Sequence, residues 1–539
     1  MIEKQIRPSR QLGYTQLYLD FLAGDRPARS FYSAQTIAET CLALDKTEFS
    51  RREIVDILHR QNESYHSAPA ALAAIDKLLD PRSVCIFGGQ QAGLFGGPMM
   101  TLLKALAIAK AAPKLSEQLR RPVVPIFWIA ADDHDFEEVN HTFLLDRQGG
   151  LQRIEYTTRP MVPSSLGQVR LSDHDQLEKA VAQFAGALGQ TEFTADVLDL
   201  LRKCYSSKET FVTAFGKLMA ALTAEYGLVL FSPHDSAAKA LARPFFRGLI
   251  EQQDLLHAVL SERNRAIQSA GYHLQVQKQE DAADLFVDLD GRKPVHRKGE
   301  SFTVGDRTFT ARQMLDLLEA EPERFSPDAL TRPLFQACLF PTAVQMGGPS
   351  EIAYFAQGNV IFDLFKRQLP VHIARPTIMF AEKRHARLMD EYAIEFEEVA
   401  GDIEQLINRI LLKSFPVDIE NRYHQLKSEV RRQFDTFTEE SLHFDPSLRE
   451  FAGQTFGKID FALKTFEGKL FAAHKKKSAD TRERIYRLRT ALYPDGAFQD
   501  RALNAANFIA RYGSLFVSWL YQSVDPFAPG PKMISLSEE

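Results

Sequence analysis

Residues Asp132 to His141 read DDHDFEEVNH, a stretch that crowds Asp132, Asp133, His134, Asp135, Glu137, Glu138 and His141 beside Asn140. They follow Val123–Ala130, VVPIFWIA, an apolar run with no polar alternation. Such a run fits a strand buried on both faces. Open α/β sheets hold their ligands at the carboxyl ends of the strands, so this cluster is a candidate site for a polar substrate or a nucleotide. Two other readings stand beside it. On a helix, His134, Glu138 and His141 share one face and carry metal-ligand chemistry, the basis of a metal-dependent hydrolase. Alternatively, Asp132 or Asp133 caps a helix whose first turn sets Glu137 and Glu138 against the dipole.

A second stretch comes before it. Val84–Phe87 predicts a strand, followed by glycine at 88, 89, 93, 96 and 97, and an Ala/Leu-rich segment of helical spacing starts near Pro98. Proline suits the first turn of a helix. A glycine loop opening a helix offers backbone N–H groups to an anion; a tight turn with no ligand explains the same glycines. Neither a clean GxGxxG nor a GxxxxGK[ST] is present, so nicotinamide and P-loop chemistry are not indicated. A third stretch, residues 326–360, interleaves Arg332, Gln336, Thr342, Gln345, Glu351 and Tyr354 with apolar residues. Its Gly347-Gly348-Pro349-Ser350 predicts a tight loop opening a helix, or only a turn.

These residues need elements to position them. Tyr226–Phe231 is another short apolar run, ended by Ser232, Pro233, His234 and Asp235. Polar clusters that follow buried strands point to an α/β fold with a parallel sheet. Residues 1–80 predict helices. Residues 146–225 are mixed, with strand-like Leu151–Tyr156 and Gly167–Leu171. Residues 271–325 open with alternating pieces (YHLQVQ, DLFVDLDGR, FTVGDRTFT) and hairpin signals at Asp290-Gly291 and Gly305-Asp306. Both regions are expected to be insertions in a core of residues 1–383.

From 384 to 492 the chain is charged and helical. Ile419, Tyr423, Leu426, Val430, Phe434 and Phe437 step by three and four; so do Leu448, Ala452, Phe456, Ile459, Leu463, Phe466 and Leu470. Two amphipathic helices broken near Pro446 predict an antiparallel coiled-coil pair, each about 30 Å or more at ~1.5 Å per residue. Dimerisation would cover such an exposed stripe. Residues 493–539 are expected to return to the core.

The bulk composition is ordinary. The 539 residues are 25% charged and 45% hydrophobic, with net charge −5 and no basic half, which argues against nucleic-acid binding. No uncharged apolar run approaches the ~20 residues that span a bilayer, and the start lacks a signal-peptide core. Cys41, Cys85, Cys204 and Cys338 form no CxxC, so a reduced, cytoplasmic setting is expected.

Together, GGQQAGLFGGPMMTLLKA (88–105), PIFWIAADDHDFEEVNH (125–141), TRPLFQ (331–336), LFPTAVQMGGPSEIAYFAQ (339–357) and YPDGAFQDR (493–501) resemble the bacillithiol biosynthesis family of cysteine-adding enzymes. Their order and the long helical insertion match as well, so the resemblance covers nearly the whole chain. It implies a Rossmann-like core with connecting insertions, similar to class I aminoacyl-tRNA synthetases, and a coiled-coil domain that makes a homodimer. It also implies ligation of L-cysteine to the amine of glucosaminyl-malate. No HxGH is present, and Lys532-Met533-Ile534-Ser535 is set aside as a tail. Within that frame Gln90 and Gln91 suit sugar hydroxyls. Gly93 and the helix start could take a phosphate or carboxylate. Asp133 and Asp135 suit an ammonium, and His134 a proton shuttle. Arg332 and Lys104 are candidates for the malyl carboxylates, with Lys104 equally read as a surface residue. Asn140, Gly347, Gly348, Glu351 and Tyr354 complete the expected site, which contains no metal. ATP or another nucleotide is the possible activating cosubstrate. A non-catalytic coiled-coil scaffold is the remaining alternative.

Overall fold

The computed structural model describes residues 2–413, 417–528 and 530–536. The chain forms two compact units, Met1–Ala381 with Pro494–Glu539, and Glu382–Tyr493.

In the first unit, strands β2 (Val84–Gln90), β3 (Val123–Ile129), β6 (Val229–Phe231), β12 (Thr342–Gly347) and β13 (Val371–Ala374) make a parallel sheet in the order β13-β12-β2-β3-β6. Every residue of β3 is buried, as a continuous apolar run requires. Strand order reverses at β2, with β3 on one side and β12 on the other. That reversal is where doubly wound sheets open a crevice.

An inserted antiparallel sheet contains β7 (Ala282–Asp288), β8 (Arg292–Lys298), β9 (Ser301–Val304), β10 (Arg307–Thr310) and β11 (Phe325–Pro327), in the order β10-β9-β8-β7-β11. Both expected hairpins form, at Asp290-Gly291 and Gly305-Asp306. YHLQVQ stays outside the strands. Strands β4 (His141–Leu145) and β5 (Leu151–Glu155) pair with each other. Gly167–Leu171 makes only one isolated bridge, Arg170 to Thr210.

The segment set aside as a tail is structural. Strand β15 (Pro531–Ser535) lies between β1 (Ile2–Gln5) and β14 (Thr377–Ala381), with Met533 and Ile534 buried.

The first glycines also differ from expectation. β2 does not end at Phe87; its register with β3 continues through Gly89–Trp128 to Gln90–Ile129. Close packing is the reason. A Cβ on Gly89 would stand 2.7 Å from the Trp128 carbonyl oxygen, and one on Gly88 would stand 3.1 Å from Lys104 Cγ. Gly89→Ala is therefore expected to destabilise the fold by about 1–3 kcal/mol, the usual cost of forcing an extra carbon into a packed core. A urea melt matching the wild type would show that β2 and β3 separate freely.

Helices near the site are numbered here in chain order: α1 (Met100–Leu119), α2 (Phe136–Val139), α3 (Ser236–Leu241), α4 (Arg332–Leu339) and α5 (Pro349–Gly358). α1 begins after Pro98 rather than at it, and Thr101 N–H bonds the Pro98 carbonyl.

In the second unit, α6 (Val417–Phe444) and α7 (Leu448–Lys477) run antiparallel, since Lys427 meets Asp460 while Phe434 packs at a tilt against Phe456. The stripe is only partly covered. Phe437 remains 67% exposed and Phe466 56% exposed. Among the described residues, no helix is long and apolar enough to cross a membrane.

Candidate active site

A cavity of about 890 Å³ opens at the carboxyl ends of β2, β3 and β12. Gln90 ends β2, Asp132 and Asp133 follow β3, and Gly348 follows β12. β7 and β8 of the inserted sheet add Phe286 and Arg292 to the wall.

One side of the cavity is acidic. The Gln91 amide donates to Asp133 Oδ2 at 2.6 Å and to Glu138 Oε2 at 2.7 Å. Asp133 Oδ1 accepts the His134 backbone N–H at 2.8 Å, which anchors the turn. Two carboxylates thus share an uncharged partner and retain lone pairs for a cationic ligand.

His134 sits at the junction with the inserted sheet. Arg292 Nη1 lies 2.7 Å from His134 Nδ1. Arg292 is 7% exposed, donates to Ser326 Oγ and the Pro327 carbonyl, and lies 3.7 Å over the Phe286 ring. Burial, and then the Arg292 charge, push the His134 pKa below the ordinary imidazole value against Asp133 and Asp135.

Beneath Asp133 lies a buried ion pair. Lys239, on α3 and 1% exposed, donates to Asp132 Oδ2 at 2.5 Å and to the Phe325 carbonyl at 2.8 Å. His234 Nδ1 is 3.4 Å from the other Asp132 oxygen. Burial opposes ionisation of Asp132, but Lys239 and His234 outweigh it and hold the carboxyl well below its usual range. The pair ties the end of β3 to β11.

A second buried pair closes the floor. Lys104, 1% exposed, donates to Glu351 Oε2 at 2.5 Å, to the Gly89 carbonyl at 2.6 Å and to Gln90 Oε1 at 3.2 Å. The same Glu351 oxygen takes the Gly348 N–H at 2.8 Å. Burial lowers the Lys104 pKa, and Glu351 resists that shift.

Arg332 at the start of α4 is different. Its Nη2 donates to the Tyr354 hydroxyl at 2.5 Å, and its guanidinium lies 6.0 Å from the Trp128 ring centre. Among the described residues no carboxylate lies within ion-pair distance of it. Burial raises the Tyr354 pKa to about 12 against Arg332, so the hydroxyl stays protonated at neutral pH.

Two family models match the chain: bacillithiol biosynthesis BshC, N-terminal Rossmann-like domain, over residues 1–376, and the C-terminal coiled-coil domain of the same family over residues 378–536. This chain belongs to the BshC family. A Koribacter versatilis relative named "Putative cysteine ligase BshC" is 30% identical over 505 residues, covering 93% of each chain. A Salinibacter ruber relative of the same name is 30% identical over 92% of this chain and 89% of its own. A third, from Bacillus cytotoxicus, is 28% identical over 88% of each.

This BshC-family cavity gathers many of the residues expected from sequence. Gln90, Gln91, Lys104, Asp133 and His134 line it, as do Arg332, Gly348, Glu351 and Tyr354. Four others do not. Asp135 precedes α2 and points to solvent. Asn140 is buried in the β4–β5 hairpin, where its amide donates to Glu155 and its oxygen meets His141. Gly347 is the packed end of β12, where a Cβ would meet the Phe355 ring at 2.7 Å. Gly93 lies where a Cβ would stand 2.8 Å from Gly97 Cα, so it serves a tight turn.

The anion cradle expected around Gly93 is not open. Gly93, Gly96, Gly97 and Met99 all spend their N–H groups on protein carbonyls, Met99 on that of Leu503. Asn504 holds the Phe95 and Gly97 carbonyls from the other side. Lys104 is equally far from being a surface residue; it reaches across Gly88 and Gly89 to the carboxyl end of β2. The hydrolase face also fails to form. α2 has a single turn, and His141 already belongs to β4, so the i, i+4, i+7 spacing is never helical. Among the described residues no cluster of His, Cys, Asp and Glu could hold a metal.

Arg292, which lines the cavity, and Lys239, which pairs with Asp132 beneath it, are residues that the sequence did not single out. Arg292 carried a weak signal, since it directly follows the Asp290-Gly291 turn. Lys239 carried none, lying in an ordinary SAAKAL helix.

Proposed function

We propose that this chain is a cysteine ligase of bacillithiol synthesis that joins L-cysteine to the amine of glucosaminyl-malate. The family and the names of its relatives support ligation of cysteine. The observation that carries the finer reading is the separation of charge in the cavity. Asp133 and Glu138 face it with only the Gln91 amide between them, and Arg332 faces it with only a tyrosine. Carboxylates suit the ammonium of cysteine or glucosamine, and a guanidinium suits the malyl dicarboxylate. Gln90, fixed by Lys104, suits a sugar hydroxyl. Joining a carboxylate to an amine needs activation, and we propose a nucleoside triphosphate, ATP first, as the cosubstrate. The glycine-loop amides are occupied within the fold and do not supply its phosphate site.

Incubating the purified chain with cysteine, glucosaminyl-malate and ATP tests this. Mass spectrometry should find the amide with ATP and none without it. Ligation without a nucleotide would overturn the cosubstrate, and no amide under any nucleotide would sink the substrate assignment.

We also propose that α6 and α7 form a homodimer through their uncovered stripe. Deleting residues 385–490 should leave a folded monomer, because β15 pairs with β1 and β14 without them. A dimer of the deletion variant in light scattering would refute this.

A further inference from the structure

We infer that His134 acts as a neutral hydrogen-bond donor through Nε2–H, and that Arg292 is the positioning residue that fixes this tautomer. A guanidinium has five N–H donors and no acceptor. At 2.7 Å, Arg292 Nη1 therefore donates, and His134 Nδ1 must receive with its lone pair. An imidazole whose Nδ1 lone pair is taken carries its proton on Nε2. Protonating Nδ1 would press an N–H against an N–H of a buried cation.

The surroundings keep Arg292 in place. It is held by Ser326 Oγ, the Pro327 carbonyl and the face of Phe286, three contacts from the inserted sheet. The charged groups facing His134 are Arg292 on β8 and Asp133 and Asp135 on its own segment; Phe286 on β7 presents only a ring. Asp133 Oδ1 is 4.0 Å from Nδ1, too far to compete with Arg292 for that nitrogen. Among the described residues nothing accepts from Nε2, which leaves that N–H to the cavity. The geometry thus replaces the proton shuttle expected from sequence with an electrophilic donor, a known use of a neutral histidine.

What the donor stabilises rests on the ligase reading. When the amine attacks the activated cysteine carbonyl, the new C–N bond forms as the π pair moves onto oxygen. That pair returns as the bond to the activating group breaks, and the nitrogen sheds its proton to a carboxylate or water. Nε2–H bonds the oxygen while it carries the negative charge.

The tautomer can be read without any ligand. Protein labelled with ¹⁵N-histidine, compared with His134→Gln to assign the signal, should show neutral His134 as the Nε2–H form, with its midpoint below the ordinary imidazole value. Arg292→Ala should raise the His134 midpoint and free the tautomer while burial keeps the midpoint below the ordinary value, and Arg292→Lys should preserve the Nε2–H form. A wild-type His134 that titrates normally, or that carries its proton on Nδ1, would overturn the inference whatever the substrate. In the ligation assay, His134→Ala should lose about 10²–10³-fold in kcat, the cost of an oxyanion donor. His134→Gln, which keeps an N–H near that position, should recover at least tenfold of it. Equal loss in both would return His134 to proton transfer. An absence of ligation in the wild type would instead condemn the ligase reading and leave the tautomer result standing.

Discussion

Lys239→Met is expected to destabilise the protein by about 3–5 kcal/mol at neutral pH, the usual cost of stranding one member of a buried ion pair. Lys239 is 1% exposed and Asp132 has little access to water. Methionine fills the space between the Phe246 and Phe335 rings that the lysine ammonium now overlooks. It cannot satisfy Asp132 or the Phe325 carbonyl. The pH dependence separates charge from packing. In the wild type the Asp132 pKa is depressed, so its stabilisation is present above the unfolded value of ~3.9 and is lost only as pH falls through the depressed folded value. In the variant, burial without an ammonium raises that pKa, so stability is lost as pH rises through it. The deficit should therefore shrink between pH 7 and pH 5 in urea titrations. Adding Asp132→Asn should recover much of it at pH 7. A deficit that ignores both pH and the second substitution would make the loss one of packing alone.

The contrast between Asp132 and Asp133 shows what a sequence can and cannot carry. β3 was legible because seven consecutive buried residues leave a local pattern, and the ligand-bearing end of such a strand follows from topology. The cluster after it was legible as chemistry but not as roles. Asp133 and Asp132 are neighbours in sequence and both border the cavity, yet Asp133 keeps lone pairs for a ligand while Asp132 is committed to a lysine 107 residues away. Only the packing of α3 against the sheet distinguishes them. Lys104 failed for a related reason. Its helix read only as an Ala/Leu-rich segment of helical spacing, and nothing local says that Gly88 and Gly89 leave room for an ammonium at the carboxyl end of β2. The glycine loop carried a real signal of close approach, but the partner was Leu503 and Asn504 rather than an anion. Residues joined over hundreds of positions are invisible to period and spacing.

Arg332 supports the second large effect. The Arg332→Gln change should raise KM for glucosaminyl-malate by about 10–100-fold while leaving the melting temperature nearly unchanged. The magnitude follows from losing charge-assisted hydrogen bonds worth roughly 1.5–3 kcal/mol. The small thermal effect follows from the partners. Arg332 bonds one tyrosine hydroxyl and no carboxylate among the described residues, so its removal strands no buried charge. Lysine should rescue poorly, because a point charge cannot match a carboxylate with two parallel donors. Tyr354→Phe should cost less than Arg332→Gln, since it frees the guanidinium to swing without removing it. The decisive comparison uses a shortened acceptor. Against glucosamine lacking the malyl group, wild type and Arg332→Gln should have similar kcat/KM, because the carboxylates that the guanidinium reads are gone from the substrate. If the variant is equally impaired on both acceptors, Arg332 serves the cysteine or the nucleotide instead, and the dicarboxylate must be read elsewhere in the cavity.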